Sequence, residues 1–289
     1  MIIVKLTGGL GNQMFQYAFG KHLAHKYQTK LKLDISFFES QNLRSYELYV
    51  FNINEEIVTV NELNNFFPSP SLNFIKKIFN KIKNNFYGLN YVLEKQFNFT
   101  PEILNSSNNS YLDGYWQSEK YFKDSELIIR DCFQFKIASN EKNKSQIDQI
   151  LSQDSVSIHI RRGDYVSDKQ TNKIHGTCDE RYYDRAIFYI SENIKTPVFY
   201  VFSDDIDWAK KNIEIPFAHH YVENNADCNY EDIRLMAFCK HNIIANSSFS
   251  WWGAWLNSNV GKIVIAPEKW NNDTTKNTGD IVPKNWVKL

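Results

Sequence analysis

The chain has 289 residues, of which 43 % are hydrophobic and 15 % aromatic, a composition that supplies a substantial core and excludes intrinsic disorder as the main state. Its 33 basic residues balance its 33 acidic ones, so no net field draws it to nucleic acid, and any anion must be held by a local cluster. The length favours two domains, which the pattern below sets at 1–150 and 151–289.

Met1 to Leu6 is an apolar, β-branched run that predicts a strand, with no basic leader or long apolar stretch of the kind that marks a signal peptide. Thr7-Gly8-Gly9-Leu10-Gly11 breaks it, and from Asn12 onward Phe15, Phe19 and Leu23 recur near helical spacing. Leu31 to Ile35 reads as a second strand, so the chain opens as strand, glycine turn, helix, strand. Such a turn invites a dinucleotide reading, with Asp34 as the acid for a ribose. Against it, Met14 replaces the third glycine of G-x-G-x-x-G, the one that allows close helix packing. What remains is a turn that lets backbone approach a ligand, with Gly9, Gly11, Asn12 and Gln13 as its candidate residues.

Residues 40 to 150 are rich in Asn, Phe and Lys and show few strand signals. Within them Leu72 to Phe86 puts Ile75, Phe79, Ile82 and Phe86 on one face beside Lys76, Lys77, Lys81 and Lys83. That pattern fits packing on the protein with a solvated basic face, or peripheral contact with an anionic membrane surface. Residues 139 to 154 read as a helix or linker.

The second half alternates. Strands are expected at Ser155–Ile160, Val198–Phe202, His219–Val222, Ile243–Ala245 and Ile263–Ala266, and helices at Asp179–Ile194, Asp205–Ile213, Asn229–Lys240 and Ser247–Leu256. Short connections between them predict a right-handed parallel sheet covered on both faces. The fold class is therefore α/β, with two Rossmann-like units facing a cleft and ligands beyond the carboxyl ends of the strands.

Three places in this half can carry chemistry. His159-Ile160-Arg161-Arg162-Gly163-Asp164 falls where a strand ends, and two guanidiniums match a diphosphate. Asn246-Ser247-Ser248-Phe249-Ser250 opens a helix whose free N–H groups and hydroxyls favour an anion. Asp205-Ile206-Asp207 has the form of a metal-holding D-x-D, but helix capping explains it better, and no metal is expected. Trp251, Trp252 and Trp255 read as packing. Cys132, Cys178, Cys228 and Cys239 have no disulfide or zinc spacing and fit free thiols in a cytoplasmic protein.

With these residues in place the chain resembles the α-1,2-fucosyltransferases of bacteria and animals. The matching stretches are GGLGNQMFQYAFG at 8–20, HIRRGDYV at 159–166, FSDD at 202–205 and DIRLMAFCKHNIIANSSFSWWGAWLN at 232–257, followed by VIAPEKW. The resemblance implies a GT-B fold, GDP-fucose as donor, inversion at the anomeric carbon, no metal and no cofactor. It also implies a galactose-containing glycan as acceptor, in a polysaccharide repeat or an oligosaccharide. By the same resemblance Arg161 grips the β-phosphate with Arg162 beside it, and His159 contacts the nucleoside. Asp232 accepts from guanine N1 and N2, Ser248, Phe249 and Ser250 line phosphates and base, and the Asn12 loop faces the cleft from the other domain. Relatives with α-1,6 activity hold a basic Glu after the arginines, where this chain offers Asp168 and Lys169. Asp168, His175 and Asp164 are the candidate bases in that order, with Asp164 expected to pair with the arginines. A nicotinamide-dependent oxidoreductase and a non-catalytic nucleotide-sugar-binding protein are the competing classes.

Overall fold

The opening apolar run forms β1 (Ile2–Lys5), whose Ile2, Ile3 and Val4 are wholly buried, as a strand flanked on both sides and covered on both faces requires. A computed structural model describes residues 1–66, 90–273 and 275–289. Contacts divide the chain into two units, Met1–Gln134 and Phe135–Leu289.

In the first unit β1 lies between β2 (Leu31–Asp34) and β5 (Ser110–Asp113), with β3 (Glu56–Ile57) and β4 (Asn90–Leu93) at the edges, all parallel in the order β3-β2-β1-β5-β4. Gly8 turns the chain at φ +76°, and the helix Leu10–Lys26 buries Phe15, Phe19 and Leu23, Phe15 against Phe122 and Phe19 against Trp116 and Tyr121. The close approach is made at Gly20, where a Cβ would stand 3.0 Å from Leu31 and 3.2 Å from Val4. β4 and β5 come from the stretch with few strand signals. Each is only four residues long and is stabilised by its place in the sheet more than by its own propensity.

The second unit orders six parallel strands β11-β10-β9-β6-β7-β8: β6 (Asp154–Ile160), β7 (Pro197–Ser203), β8 (His219–Tyr221), β9 (His241–Ile243), β10 (Val264–Ala266) and β11 (Val287–Lys288). The chain starts in the middle, winds outward through β7 and β8, then returns to the other side of β6. The strand order therefore reverses between β6 and β9, the switch point at which such sheets bind ligands. Asp179 caps the helix Glu180–Asn193, which buries Tyr182, Tyr183, Ala186, Ile187 and Ile190.

Two expectations move. The helix Glu141–Ser152 packs on the helix Tyr230–Phe238, so the unit boundary falls after Gln134 where the sequence pattern put it at 150. β9 begins at His241, two residues before the expected strand, because its polar residues disguise it. Asn242 is wholly buried, donating to Ser157 Oγ and the Met236 carbonyl at 2.8 Å each and accepting from Asn257. The three tryptophans pack as expected, with Trp251 Nε1 donating to the Ile281 carbonyl. The basic segment 72–86 lies outside the described residues, and among these no helix is long and apolar enough to cross a membrane.

Candidate functional site

β6 and β7 end level with one another, Ile160 opposite Ser203, so the turns that follow them meet. From the first come Arg161 and Arg162, from the second Asp204 and Asp205. Arg161 Nη1 lies 2.6 Å from Asp204 Oδ2, and Arg162 donates its backbone N–H to Asp204 Oδ1 at 2.8 Å. Arg162 Nε reaches Asp205 Oδ2 at 3.3 Å, and its guanidinium sits 3.7 Å above the Trp208 ring. Asp205 also caps the next helix through the Trp208 N–H, the role that spacing assigned to this D-x-D. A Cβ on Gly163 would lie 2.5 Å from Asp204 Oδ2, so a larger residue here would displace the carboxylate that holds Arg161. Among the described side chains, the carboxylates on the arginines come from the neighbouring strand end, a support that sequence reasoning did not name. Asp164 lies in the helix Gly163–Ser167, and its side chain is outside the described residues. Among the described residues no group of three His, Cys, Asp or Glu stands close enough to hold a metal ion.

Across the switch point, β9 runs through Ala245 into the helix Ser248–Leu256. Ser247 caps it, accepting from the Phe249 N–H, and the wholly buried Ser250 hydroxyl donates back to the Ser247 carbonyl. These two hydroxyls serve the helix, which leaves the partly exposed Ser248 and Phe249 as the outward members of the motif. Asn246, expected to touch a ligand, is an anchor instead. Its buried amide donates to the carbonyls of His175, Gly176 and Trp270 at 3.1 to 3.2 Å, tying the excursion after Arg162 to the sheet.

That excursion brings His175 back to the arginines. Its ring stacks on Tyr165 at 4.8 Å, and Arg161 lies 5.3 Å from the same Tyr165 ring. Asp168 is exposed on it. His159 is only 6 % exposed, packs 5.7 Å from Phe249, and has no partner for Nδ1 among the described residues. Burial, aided by Arg161, pushes its pKa down to about 3, so at neutral pH the imidazole is uncharged, with one donor and one acceptor nitrogen.

Asp232 sits in the first turn of the helix Tyr230–Phe238. Burial, reinforced by Glu231, raises its pKa to about 7 even though Asn225 donates to it at 2.8 Å. Behind it Asn143 donates to Asn225 at 2.9 Å and to Glu231 at 3.2 Å, and Ser139 also donates to Glu231. Sequence reasoning missed this support because single Asn residues in an Asn-rich chain carry no signal.

In the first unit, the residues of the glycine turn are mostly spent on the fold. Gln13 donates to the carbonyls of Gly8 and Ser45 and accepts from the Glu47 N–H, so this wholly buried side chain closes three backbone groups. Gly9 caps the helix, Gly11 is buried within it, and Asn12 Oδ1 accepts from Gln117 at 2.7 Å. Asp34 takes the Tyr111 hydroxyl and the Ser36 N–H, and so is committed to the sheet end. That removes the acid a nicotinamide nucleotide would need.

The whole chain, residues 1–289, matches the model of glycosyl transferase family 11. It is 38 % identical to the alpha-1,2-colitosyltransferase of Escherichia coli over all of this chain and 99 % of that one. It is 27 % identical to a galactoside 2-alpha-L-fucosyltransferase of Caenorhabditis elegans, over 65 % of this chain and 56 % of that one. Among solved structures, an Arabidopsis thaliana FUT1 mutant in complex with GDP superposes with a TM-score of 0.54 at 10 % identity, covering 93 % of this chain and 71 % of the other, a likeness of fold.

Proposed function

Since the chain belongs to glycosyl transferase family 11, we propose that it transfers L-fucose from GDP-β-L-fucose to the 2-hydroxyl of a β-galactoside, with inversion and without a metal ion. The observation that carries this reading is the pair Arg161–Arg162, fixed by Asp204 and Asp205 at the carboxyl edge of β6 and β7. Their neighbour across the switch point is a helix N-terminus. A guanidinium held in place before the reaction stabilises charge that grows on the leaving phosphate without reorganising. His159 and Asp232 supply nucleoside contacts, and Ser248 and Phe249 border the phosphates.

In the displacement, the bond from the anomeric carbon to the β-phosphate oxygen breaks as the acceptor oxygen attacks the opposite face. GDP leaves with the electron pair, and the hydroxyl proton passes to a base. Asp168 and His175 are the bases we favour. The stack of His175 on Tyr165, beside Arg161, keeps it near the phosphates, and an imidazole suits neutral pH by its intrinsic pKa. With donor near saturation, Asp168→Asn or His175→Ala is expected to lose more than about a hundredfold in kcat while GDP affinity holds. Near-normal turnover in both rules out this pair.

The full-length likeness to a colitosyltransferase favours a second donor, a nucleotide sugar that carries colitose. Incubation with either nucleotide sugar and a set of galactosides, with products read by NMR, separates the two. Formation of an α-1,2-fucosylated galactoside and GDP supports the first. Turnover with the colitose donor alone supports the second, and no transfer from either overturns both.

A further inference from the structure

The first unit has a switch point of its own, between β1 and β5, where the chain order also reverses. Beyond it the glycine turn meets the turn Gly114-Tyr115-Trp116-Gln117. Gln117 donates to Asn12 at 2.7 Å and Gln16 to the Gly114 carbonyl at 3.1 Å, so the two turns form one built surface. Glu94, just past β4, closes it from the other side, accepting the backbone N–H groups of Tyr115 and Trp116 at 2.6 and 3.0 Å. The turn is held in an unfavourable shape. Trp116 has φ +56°, costly for a bulky residue, and a Cβ on Gly114 would fall 2.4 Å from Glu94 and 2.8 Å from the Trp116 ring.

The buried Trp116 indole N–H, beside Gly114, has no acceptor among the described residues, and the Tyr115 ring is 41 % exposed. A carboxylate, amides and an aromatic face bind hydroxyls and C–H faces of a neutral sugar. Next to Glu94, Asp113 on β5 holds Lys5 of β1 and accepts from the Tyr91 hydroxyl of β4, so this edge of the surface presents carboxylates and hydroxyls. From this arrangement we infer that Glu94, Tyr115 and Gln117 form a subsite for the neutral acceptor sugar, with the Tyr115 ring against its apolar face and the Glu94 carboxylate accepting from a hydroxyl. The assignment rests on the proposed transferase activity. Burial raises the pKa of Glu94 to about 7, which places an easily protonated carboxyl beside that hydroxyl.

The test is binding of methyl β-D-galactopyranoside, lactose and N-acetyllactosamine to the GDP-loaded protein, read by saturation-transfer NMR and calorimetry. Tyr115→Ala removes only an exposed ring and leaves the Glu94 bond to its backbone intact. It is expected to keep the wild-type Tm and GDP affinity and to weaken sugar binding tenfold or more. Glu94→Gln should weaken it several-fold and remove any pH dependence of sugar binding between 6 and 8. Sugar affinity within twofold of wild type in Tyr115→Ala, or no binding of any of the three by the wild type, overturns the subsite. Failure of the activity itself is read separately, as absence of transfer by a wild type that does bind sugar.

Discussion

The two units use the same backbone device with opposite chemistry. In both, a first strand in the middle of a parallel sheet runs into a turn at a switch point, and a second turn from a neighbouring strand meets it. In the second unit the meeting groups are Arg161, Arg162, Asp204 and Asp205. In the first they are Asn12, Gln117, Glu94 and backbone. The comparison teaches that topology supplies the place for a ligand, while the charge at the strand ends decides which ligand. An overall charge of zero hides this, since the cations that matter are two and local.

The largest expected effect comes from removing charge on the second unit's side. Arg161→Ala should lose roughly a hundredfold or more in kcat, about 3 kcal/mol of stabilisation of the departing phosphate, while staying folded. Arg161→Lys should fail as well, because an ammonium does not reproduce the guanidinium fork. Turnover of either variant within threefold of wild type removes the arginine from the mechanism.

Next is Asp232. Asp232→Ala should weaken GDP binding by about tenfold, the order of one charged hydrogen-bonded contact, with the acceptor KM unchanged. Its raised pKa fixes the sign of a pH effect. The folded protein favours the protonated form, so this group's contribution to stability is full below its ordinary value of 3.8 and is lost as pH rises through about 7. Guanine needs the ionised form, so GDP affinity should rise over that upper range in the wild type and stay flat in Asp232→Asn, as calorimetry at pH 6 and 8 would show.

The third change sharpens the comparison from the other side. Gln13 closes three backbone groups and touches no phosphate in this account. Gln13→Ala should cost ~2 kcal/mol or more in stability, seen as a lowered Tm, with GDP affinity unaltered. A selective loss of GDP binding at normal Tm would give the glycine turn a donor role. The smallest effect is expected for Asp207→Asn and for excess EDTA, each leaving turnover within about threefold, because paired arginines supply the charge that a metal gives elsewhere. Strict dependence on Mg²⁺ or Mn²⁺ would contradict that.

Much of the second unit was legible because its strands alternate with helices whose starts the pattern puts at Asp179, Asp205 and Ser247, the residues that cap them. β9 was displaced because His241 and Asn242 look like loop until their buried partners are known. β4 and β5 were hidden, since four-residue strands amid Asn and Ser derive their stability from neighbours distant in sequence. At the site, the motif located Arg161, Arg162 and His159, but their supports are cross-chain relations. Asp204 holds Arg161 across 43 positions, and Asn246 bonds the His175 carbonyl across 71, pairings that one sequence does not display. For the same reason Asn246, Ser247 and Ser250 read as ligand contacts and are instead committed to the backbone.

The division of labour between the two sheets is tested most directly by hydrogen–deuterium exchange with and without GDP. The account predicts protection at the ends of β6 and β7, at the start of the helix Ser248–Leu256 and around Asn225–Asp232, with the turns at 7–13 and 114–117 unchanged. Protection centred on the Gly8–Asn12 turn, with the arginine segment unaffected, would contradict it.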